Sequence, residues 1–487
     1  MRIYNSLTGK KEEFIPINPP QVNIYTCGVT VYDESHIGHA RSLYIFDVIR
    51  RYLKYRGFQV NFVRNITDID DKIINRANEL KVGWKDLVKK YIDRYDEDLK
   101  SLGIDKGDFE PRATENIPEM VKYIQGLIEK GYAYITDSGV YFSVRKFKNY
   151  GKMSGQSIEQ MLKGVRIEPD KNKLDPLDFA LWKKSEPDEP GWDAIFEIKK
   201  IKIKISGRPG WHIECSAMST KYLKTETLDI HAGGRDLIFP HHENEIAQSE
   251  ALTGKPFAKY WIHHGLLTIN GRKMAKSLGN FVSIKDFLKE NIPQVLKLFF
   301  LSAHYRSPVD YNEKRIREAK KNYERFRILF DKLNRKFSKE KTPAKPVKPD
   351  KDSIKFRKRF EETMDDDFNT PEALAVLFDL ASFCNKLLDN YKDNYREILL
   401  SAEDILQDYC KIFGITFKTH VKEIKSDAYI RMVKGISRTE IESLVKSRED
   451  LRKKGNFSEA DRIRKRLEEK DIILEDTKEG TIWRRKI

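Results

Sequence analysis

The chain lacks the features that mark several specialised classes of protein. Only four of its 487 residues are cysteine, far apart and without a Cys-x-x-Cys pair, which excludes a disulfide framework. No apolar run approaches the ~20 residues that span a bilayer, and the first residues lack the apolar core of a secretory signal. Neither G-x-G-x-x-G nor the P-loop pattern occurs, which argues against a dinucleotide dehydrogenase or a P-loop enzyme. We therefore expect a soluble, cytoplasmic protein with no membrane contact.

Basic residues are in excess. Lysine and arginine number 91 against 75 aspartates and glutamates, which gives a formal net charge of +16. Such an excess favours a polyanionic partner such as nucleic acid. A lysine-rich, solvated surface explains the same numbers equally well, so composition leaves both explanations open. The length and the 39% hydrophobic content predict an ordered protein of three or four domains.

The first hundred residues predict a parallel sheet. Residues 22–27 and 58–67 alternate like strands, and 40–57 have the apolar spacing of a helix. A strand, a helix and a strand in this order form a βαβ unit, whose ligands bind beyond the carboxyl ends of the strands. Cys27 and His36 lie at such an end, between the first strand and its helix. A later helix is expected to begin near His241, with Pro240 in its first turn.

The rest of the chain predicts further domains. A hairpin and a loop-rich stretch interrupt the sheet domain, and after about residue 320 the pattern becomes strongly helical and then basic. The predicted fold class is α/β: a Rossmann-like parallel-sheet catalytic domain with an insertion, a helical bundle and a small basic C-terminal α+β domain. The expected boundaries are 1–115 and 206–265 for the two halves of the sheet domain, 116–205 for the insertion, 266–320 for a region that includes a lysine-bearing loop, 321–425 for the helical bundle and 426–487 for the basic C-terminal domain.

Two short motifs point to nucleotide chemistry. His36-Ile37-Gly38-His39 begins a helix after a strand, where backbone N–H groups and the helix dipole favour a phosphate. The stretch KMAKSLGN carries Lys273 and Lys276 on a glycine-flanked loop, where two ammonium groups can bind a leaving pyrophosphate. Either motif alone is weak evidence. Together, in this order, they resemble the paired signature of class I aminoacyl-tRNA synthetases.

Four other residues form a candidate metal site. Cys27 ends the first strand, Cys215 follows in GWHIECSAM, and His241 and Glu245 share one face of the predicted helix. Two thiolates, an imidazole and a carboxylate suit zinc. His242 competes with His241 as a ligand, and spacing alone does not separate them.

The blocks YTCGVTVYD, NITDIDDKI, RPGWHIECSAMS, KMAKSLGN and DDDFNTPEAL together resemble the cysteinyl-tRNA synthetase family, in its order. This resemblance implies zinc on the four candidate ligands and a monomeric enzyme. It implies contact with the tRNA stem by 266–320, tRNA binding by the helical bundle 321–425 and anticodon binding by 426–487. It also implies substrate contacts by Thr67 and Trp211 and ribose contacts by Gly234 and Asp236. Ala275 departs from the family, which usually has serine there, and we expect only a small change in loop hydrogen bonding.

The resemblance implies a two-step reaction. L-cysteine attacks the α-phosphate of ATP bound with Mg²⁺, and the cysteinyl-adenylate then esterifies the terminal adenosine of the cysteine tRNA. His36 and His39 stabilise charge on the phosphate while Lys273 and Lys276 draw out pyrophosphate. Zinc would select cysteine over serine because it prefers thiolate to an alcohol. Arg448 and its basic neighbours on two late helices are expected to contact tRNA phosphates, and Trp483 either stacks on an anticodon base or packs in a core.

Two alternatives stay open at this stage. A relative that ligates activated cysteine to an amino-sugar would share the catalytic motifs but would not need the long helical, basic region after the lysine loop. A catalytically silent zinc protein that binds RNA would not need the intact histidine and lysine motifs. A requirement for tRNA and cysteine-dependent exchange of pyrophosphate into ATP distinguish these possibilities.

Overall fold

The structure is a computed structural model that describes residues 1–164, 172–275, 278–337, 350–417, 438–470, 472–477 and 480–485. The chain divides into two compact units, one formed by Met1–Ala319 with Lys341–Thr416 and the other by Lys320–Glu340 with Phe417–Ile487. Within the described ranges, no helix is both long enough and apolar enough to cross a membrane.

A parallel four-stranded sheet is the centre of the first unit. Its strands lie in the order β11–β10–β3–β4, and every neighbouring pair is parallel. From β3 the chain continues to β4 on one side, whereas β10 lies on the other, so the strand order reverses between β3 and β10. Ligands bind at such a switch point in open α/β sheets. The four strands are β3 (Gln21–Thr30), β4 (Gln59–Thr67), β10 (Leu228–Gly234) and β11 (Ala258–His264).

The predicted strand–helix–strand unit is confirmed. Helix α1 begins three residues before the predicted start, since His36 caps it, and it buries thirteen side chains because the sheet and other helices cover it on several sides. The remaining helices of the catalytic part flank the sheets. In chain order the helices are α1 (Ile37–Tyr55), α2 (Asp71–Leu80), α3 (Trp84–Leu102), α4 (Ile117–Glu129), α5 (Ile158–Gly164), α6 (Trp211–Leu223), α7 (Glu243–Thr253), α8 (Ile284–Glu290) and α9 (Pro293–Leu301).

Three smaller sheets complete this unit. A ribbon of β1 and β2 precedes the central sheet, a five-stranded antiparallel sheet in the order β5–β6–β7–β9–β8 falls in the predicted insertion, and β13–β12–β14 follows the central sheet. The strands are β1 (Arg2–Asn5), β2 (Lys10–Glu13), β5 (Ala133–Thr136), β6 (Gly139–Phe142), β7 (Phe179–Lys184), β8 (Trp192–Ile198), β9 (Ile201–Pro209), β12 (Leu267–Ile269), β13 (Arg272–Lys273) and β14 (Val309–Tyr311).

The later part of the chain is helical, as predicted. Its long helices are α10 (Glu313–Phe337), α11 (Lys351–Asp365), α12 (Thr370–Asp389) and α13 (Arg396–Ile412). The C-terminal segment has two helices, Arg438–Lys453 and Phe457–Glu468, and an antiparallel hairpin of β15 (Ile472–Thr477) and β16 (Gly480–Arg485).

Arg448 and Trp483 both contact other residues of the C-terminal segment. The expected phosphate contact of Arg448 is wrong, because its buried guanidinium donates to both carboxylate oxygens of Asp476, at 2.7 and 2.9 Å. Trp483 is half-buried and packs against the small apolar core around Ile441 and Leu474. The core alternative therefore accounts for most of this tryptophan's surroundings.

Candidate active site and metal centre

A bulge at the end of β3 presents the first candidate ligand. The pairing of β3 with β4 shifts register between Thr26 and Val29, and Cys27 and Gly28 lie within that shift. A Cβ on Gly28 would lie 1.5 Å from the backbone oxygen of Asn65, so only glycine permits this approach of the two strands. Because the extra backbone length turns the strand, the Cys27 thiol reaches the space beside α6 and α7.

The other three candidate ligands reach the same point from two helices. Cys215 lies in the second turn of α6, and Glu245 lies in the first turn of α7. His241 precedes α7 in an irregular turn, Ile238–His242, in which Phe239 has extended backbone angles of −134° and 132°. The helix expected near His241 is confirmed, with regular α-helix from Glu243, but Pro240 precedes its first turn and does not lie in it.

The four ligand atoms lie within 4.8 Å of one another. Cys215 Sγ is 3.9 Å from Cys27 Sγ and 3.6 Å from His241 Nε2. Glu245 Oε1 is 3.0 Å from His241 Nε2 and 3.8 Å from Cys27 Sγ. Three of the side chains are buried and Cys27 is half-buried. A buried group of two thiols, one imidazole and one carboxylate has the donor chemistry of a zinc site, so these residues fit the metal that the sequence predicts.

The protonation of the group is also suited to a cation. Burial disfavours charge on Glu245, but His231 and His241 outweigh it and hold the pKa of this carboxyl well below its usual range. Burial likewise opposes ionisation of Cys27, yet the hydrogen bond from Cys215 and the nearby imidazoles lower the pKa of the Cys27 thiol. Both shifts favour the anionic forms of Cys27 and Glu245, which are the forms that bind a metal ion.

A second combination of donors overlaps the first. Cys27, His231, His242 and Glu245 also lie within 4.8 Å of one another. His231 Nε2 is 2.6 Å from Glu245 Oε2, and His242 Nδ1 is 2.7 Å from His263 Nε2. The sequence analysis missed His231, which lies within strand β10 and orients the Glu245 carboxylate through its second oxygen. Of the two neighbouring histidines, only His241 belongs to the group that includes both cysteines.

The signature histidines form a compact pair at the start of α1. Their rings stack with centroids 3.7 Å apart, and each Nδ1 accepts a hydrogen bond from the other residue's backbone N–H, at 3.1 and 3.3 Å. A Cβ on Gly38 would lie 2.8 Å from the His36 ring, so glycine is required between them. Burial, and then the charge of His36, lowers the pKa of His39 to about 3. A neutral His39 at a helix N-terminus can donate a hydrogen bond to a phosphate.

The segment that carries the lysines begins beside this pair. Lys273 ends β13 and is exposed, whereas Lys276 and Ser277 lie outside the described residues. The Asn280 side chain closes the segment, because it accepts from the backbone N–H of Ala275 at 2.9 Å and donates to the Lys273 carbonyl at 3.0 Å. The side chain of residue 275 takes no part in these bonds, which agrees with the small effect expected of alanine there.

One of the two predicted substrate residues contacts a candidate metal ligand. The centroids of the Trp211 and His241 rings are 4.1 Å apart. Thr67 Oγ1 donates at 2.7 Å to Glu214, the residue before Cys215 on α6. Gly234 ends β10, and a Cβ there would lie 2.3 Å from Asp236 Oδ1. Gly234 therefore lies at the carboxyl end of the strand next to β3, and Asp236 follows it in the short helix Arg235–Leu237.

Comparison with known proteins identifies the class first. The family described as tRNA synthetases class I (C) catalytic domain matches residues 13–321. Methionyl-tRNA synthetase of Mycobacterium tuberculosis has the same fold, with a TM-score of 0.57 at 14% identity over 81% of this chain and 89% of that one. A leucyl-tRNA synthetase of Agrobacterium radiobacter K84 gives 0.61 at 9% identity, over 82% and 85%. The molecule is a class I aminoacyl-tRNA synthetase, and its Rossmann-like fold class is confirmed.

Closer relatives define the family within this class. The cysteine–tRNA ligase of Thermodesulfovibrio yellowstonii is 48% identical over the whole of both chains, and that of Aquifex aeolicus is 46% identical over 100% of this chain and 99% of its own. A DALR domain matches residues 359–418, and the cysteinyl-tRNA ligase anticodon binding domain matches residues 438–484. The chain belongs to the cysteine–tRNA ligase family.

Proposed function

We propose that this chain joins L-cysteine to its tRNA in two steps, with a resident zinc ion and with ATP bound as its Mg²⁺ complex. The observation that supports the proposal most strongly is the convergence of Cys27, Cys215, His241 and Glu245 within 4.8 Å at the sheet edge. The signature helix α1 begins at the same edge. The metal site can therefore bind the side chain of the amino acid while the adjacent start of α1 binds the nucleotide.

These four side chains would hold the zinc, with Glu245 oriented by His231. When bound, the metal supplies a soft Lewis acid that favours the thiolate of cysteine over the hydroxyl of serine. His231 would hold the Glu245 carboxylate in place for the metal, because its Nε2 lies 2.6 Å from the second carboxylate oxygen. Trp211 and Thr67 form the neighbouring walls and would orient the amino acid.

The nucleotide would lie across the start of α1. His36 and His39 would donate to the phosphoryl oxygens as charge builds there, with the helix dipole adding to the effect. Lys273 and Lys276 would neutralise the departing pyrophosphate, and Gly234 and Asp236 would receive the ribose. These groups act mainly by holding the carboxylate of cysteine in line with the α-phosphate.

The tRNA would bind to the later domains. The anticodon-binding match at 438–484 covers a segment rich in lysine and arginine, whose phosphate contacts give salt-dependent affinity. Lys453 and Lys454 are exposed there, whereas Arg448 and Arg452 both donate to Asp476. The proposal includes a monomeric enzyme in the cytoplasm, and both of these properties stay predictions.

Metal analysis combined with pyrophosphate exchange tests the proposal. We expect wild type to contain one zinc per chain and to exchange pyrophosphate into ATP with cysteine but not with serine. Cys27→Ser should lose most of its zinc and its cysteine-dependent exchange. Cys410→Ser is the matched control, because Cys410 lies on α13 of the helical region, outside the candidate metal groups, and this variant should retain both properties.

The contrary results are equally specific. Wild-type protein that binds no zinc would refute the metal assignment. A zinc-loaded Cys27→Ser variant that still rejects serine would refute the role of this thiol. Exchange of pyrophosphate with equal dependence on cysteine and serine would refute the proposed substrate.

A further inference from the structure

Arg41 is a buried cation with an unusual set of partners. It lies on α1, two residues after His39, and its side chain is 0% exposed. Its guanidinium donates to four backbone carbonyls: Gly265 at 2.7 Å, Leu266 at 2.9 Å, Tyr305 at 3.2 Å and Ser307 at 2.6 Å. Among the described residues no ion pair involves Arg41, and burial lowers its pKa to about 10. An unpaired buried charge is costly, so its hydrogen-bond geometry has a structural purpose.

The four carbonyls belong to two chain segments that enter one small sheet. Gly265 and Leu266 immediately precede β12, and 305–307 precede β14. The segments are also bonded to each other, since Gly265 N donates to Tyr305 O at 2.8 Å. They are so close that a Cβ on Gly265 would lie 2.4 Å from the carbonyl carbon of Ser307.

This sheet carries the first lysine of the signature loop. Strand β12 pairs in parallel with β14 and antiparallel with β13, in which Lys273 lies opposite Thr268. Any shift of the 265–266 segment relative to α1 would therefore move Lys273 relative to His36 and His39. Arg41 bonds directly to that segment from the helix that carries both histidines.

The far end of the lysine segment is bonded to the same helix start. Ile37 N donates to Val282 O at 3.1 Å, and Ile284 N donates to Ser35 O at 2.9 Å. The Phe281 ring meets the His36 ring edge-on at 5.5 Å. The first turns of α1 thus hold both ends of the segment, through backbone bonds at one end and through Arg41 at the other.

We propose that Arg41 is a positioning residue for adenylate formation, because its planar fork fixes the two segments that lead into the sheet of Lys273 against the helix that carries His36 and His39. The inference rests on the proposed function. It assigns the effect to hydrogen-bond geometry rather than to positive charge. A displacement of about 1 Å between groups that act on one phosphate can cost roughly 100-fold in rate.

Arg41→Lys separates geometry from charge. Lysine keeps the charge but has three donors on a tetrahedral nitrogen and cannot reproduce the planar fork. The matched control is Arg50→Lys on the same helix. The Arg50 side chain is also buried and donates to Lys106 O at 2.6 Å and to Asp108 at 2.7 Å, in a segment that does not lead to the lysine loop.

Pyrophosphate exchange, zinc content and thermal unfolding are measured for wild type and both variants. We expect Arg41→Lys to lower kcat by about 30- to 100-fold, with zinc content unchanged and the KM for cysteine within about twofold of wild type. Arg50→Lys should leave kcat within about twofold of wild type, even if it lowers the melting temperature as much as Arg41→Lys does. A wild-type kcat in Arg41→Lys would overturn the inference, as would equal losses of kcat in the two variants.

A second variant keeps the inference testable if Arg41→Lys does not fold. Gly265→Ala leaves the arginine in place but forces apart the two segments that it joins, and it should lower kcat in the same selective way. An unchanged kcat in this variant would then count against the inference. Absence of cysteine-dependent exchange in wild type would instead refute the proposed function, so the two failures are distinguishable.

Discussion

Asp367 holds the helical region against the start of the chain, and its replacement by asparagine should destabilise the first unit markedly. The carboxylate is 0% exposed. It accepts hydrogen bonds from Tyr4 N at 2.8 Å, Tyr305 Oη at 2.7 Å and Arg306 Nε at 2.6 Å. Asparagine is the right probe because residue 367 has a φ of 65°, and asparagine tolerates this left-handed conformation better than most residues. The substitution therefore changes the charge without adding backbone strain.

The expected loss follows from the bonds. The amide oxygen of asparagine can still accept one or two of them, but its NH₂ group faces a donor. Breaking a buried charged pair costs about 3–5 kcal/mol, and the Arg306 side chain is 34% exposed, so water can rehydrate part of it. We therefore expect a loss of about 3 kcal/mol in the free energy of unfolding. For a unit of about 400 residues, this corresponds to a fall of about 3–4 °C in melting temperature.

Calorimetry of the full chain measures this effect, and the neighbouring aspartate supplies the control. Asp366→Asn removes an exposed carboxylate that pairs with Lys11 at 2.8 Å, and it should lower the melting temperature by less than about 1 °C. Asp367→Ala should cost more than Asp367→Asn, since alanine resists a positive φ. If Asp367→Asn melts within 1 °C of Asp366→Asn, the reasoning from buried hydrogen bonds is refuted.

Two further predictions concern pH. Lys297 is 4% exposed and donates to Gly414 O at 2.6 Å, and burial lowers its pKa from 10.5 to about 8. Between these pH values the unfolded chain therefore binds more protons than the folded one. The free energy of unfolding of wild type, measured in urea, should rise by up to about 3 kcal/mol relative to that of Lys297→Met from pH 8 to 10.5. A difference between the two proteins that does not change with pH would contradict this. The hydrogen bond from Arg448 holds the pKa of Asp476 below its ordinary value, so the C-terminal segment should lose stability as pH falls below about 4. Hydrogen exchange of peptides from 438–485 should show this loss in wild type but not in Asp476→Asn.

Much of the catalytic fold could be predicted because its elements follow simple periodicities. The alternation of 22–27 and the apolar spacing of 40–57 gave the positions of β3 and α1 to within three residues. The position between a strand and its helix then placed Cys27 and His36 near the carboxyl end of β3. Local patterns suffice here because strands of alternating residues and amphipathic helices depend on near neighbours.

The rest depended on contacts that periodicity does not encode. His231 lies in a strand whose residues are all buried, so its sequence context predicts core packing and not an imidazole behind Glu245. Arg448 lies in a basic run that suggests phosphate binding, yet Asp476, 28 residues later, takes its guanidinium. The helix after Pro240 begins late because Phe239 is extended. In the first two cases the interacting residue is distant in sequence. In the third, no feature of the sequence predicts the extended backbone of Phe239.

The segment 304–307 is hydrogen-bonded to both Arg41 and Asp367. Arg41 binds its carbonyls from the side of the signature helix, while Asp367 binds the Tyr305 hydroxyl and the Arg306 guanidinium from the side of the helical region. A short segment that is hydrogen-bonded on both sides cannot shift without breaking several buried hydrogen bonds. Strand β14 continues from this segment and pairs with β12, which in turn pairs with the strand of Lys273, so the same bonds also fix the position of Lys273. Loss of Asp367 should therefore lower kcat for pyrophosphate exchange as well as stability, whereas loss of Asp366 should leave kcat unchanged and lower the melting temperature by less than about 1 °C.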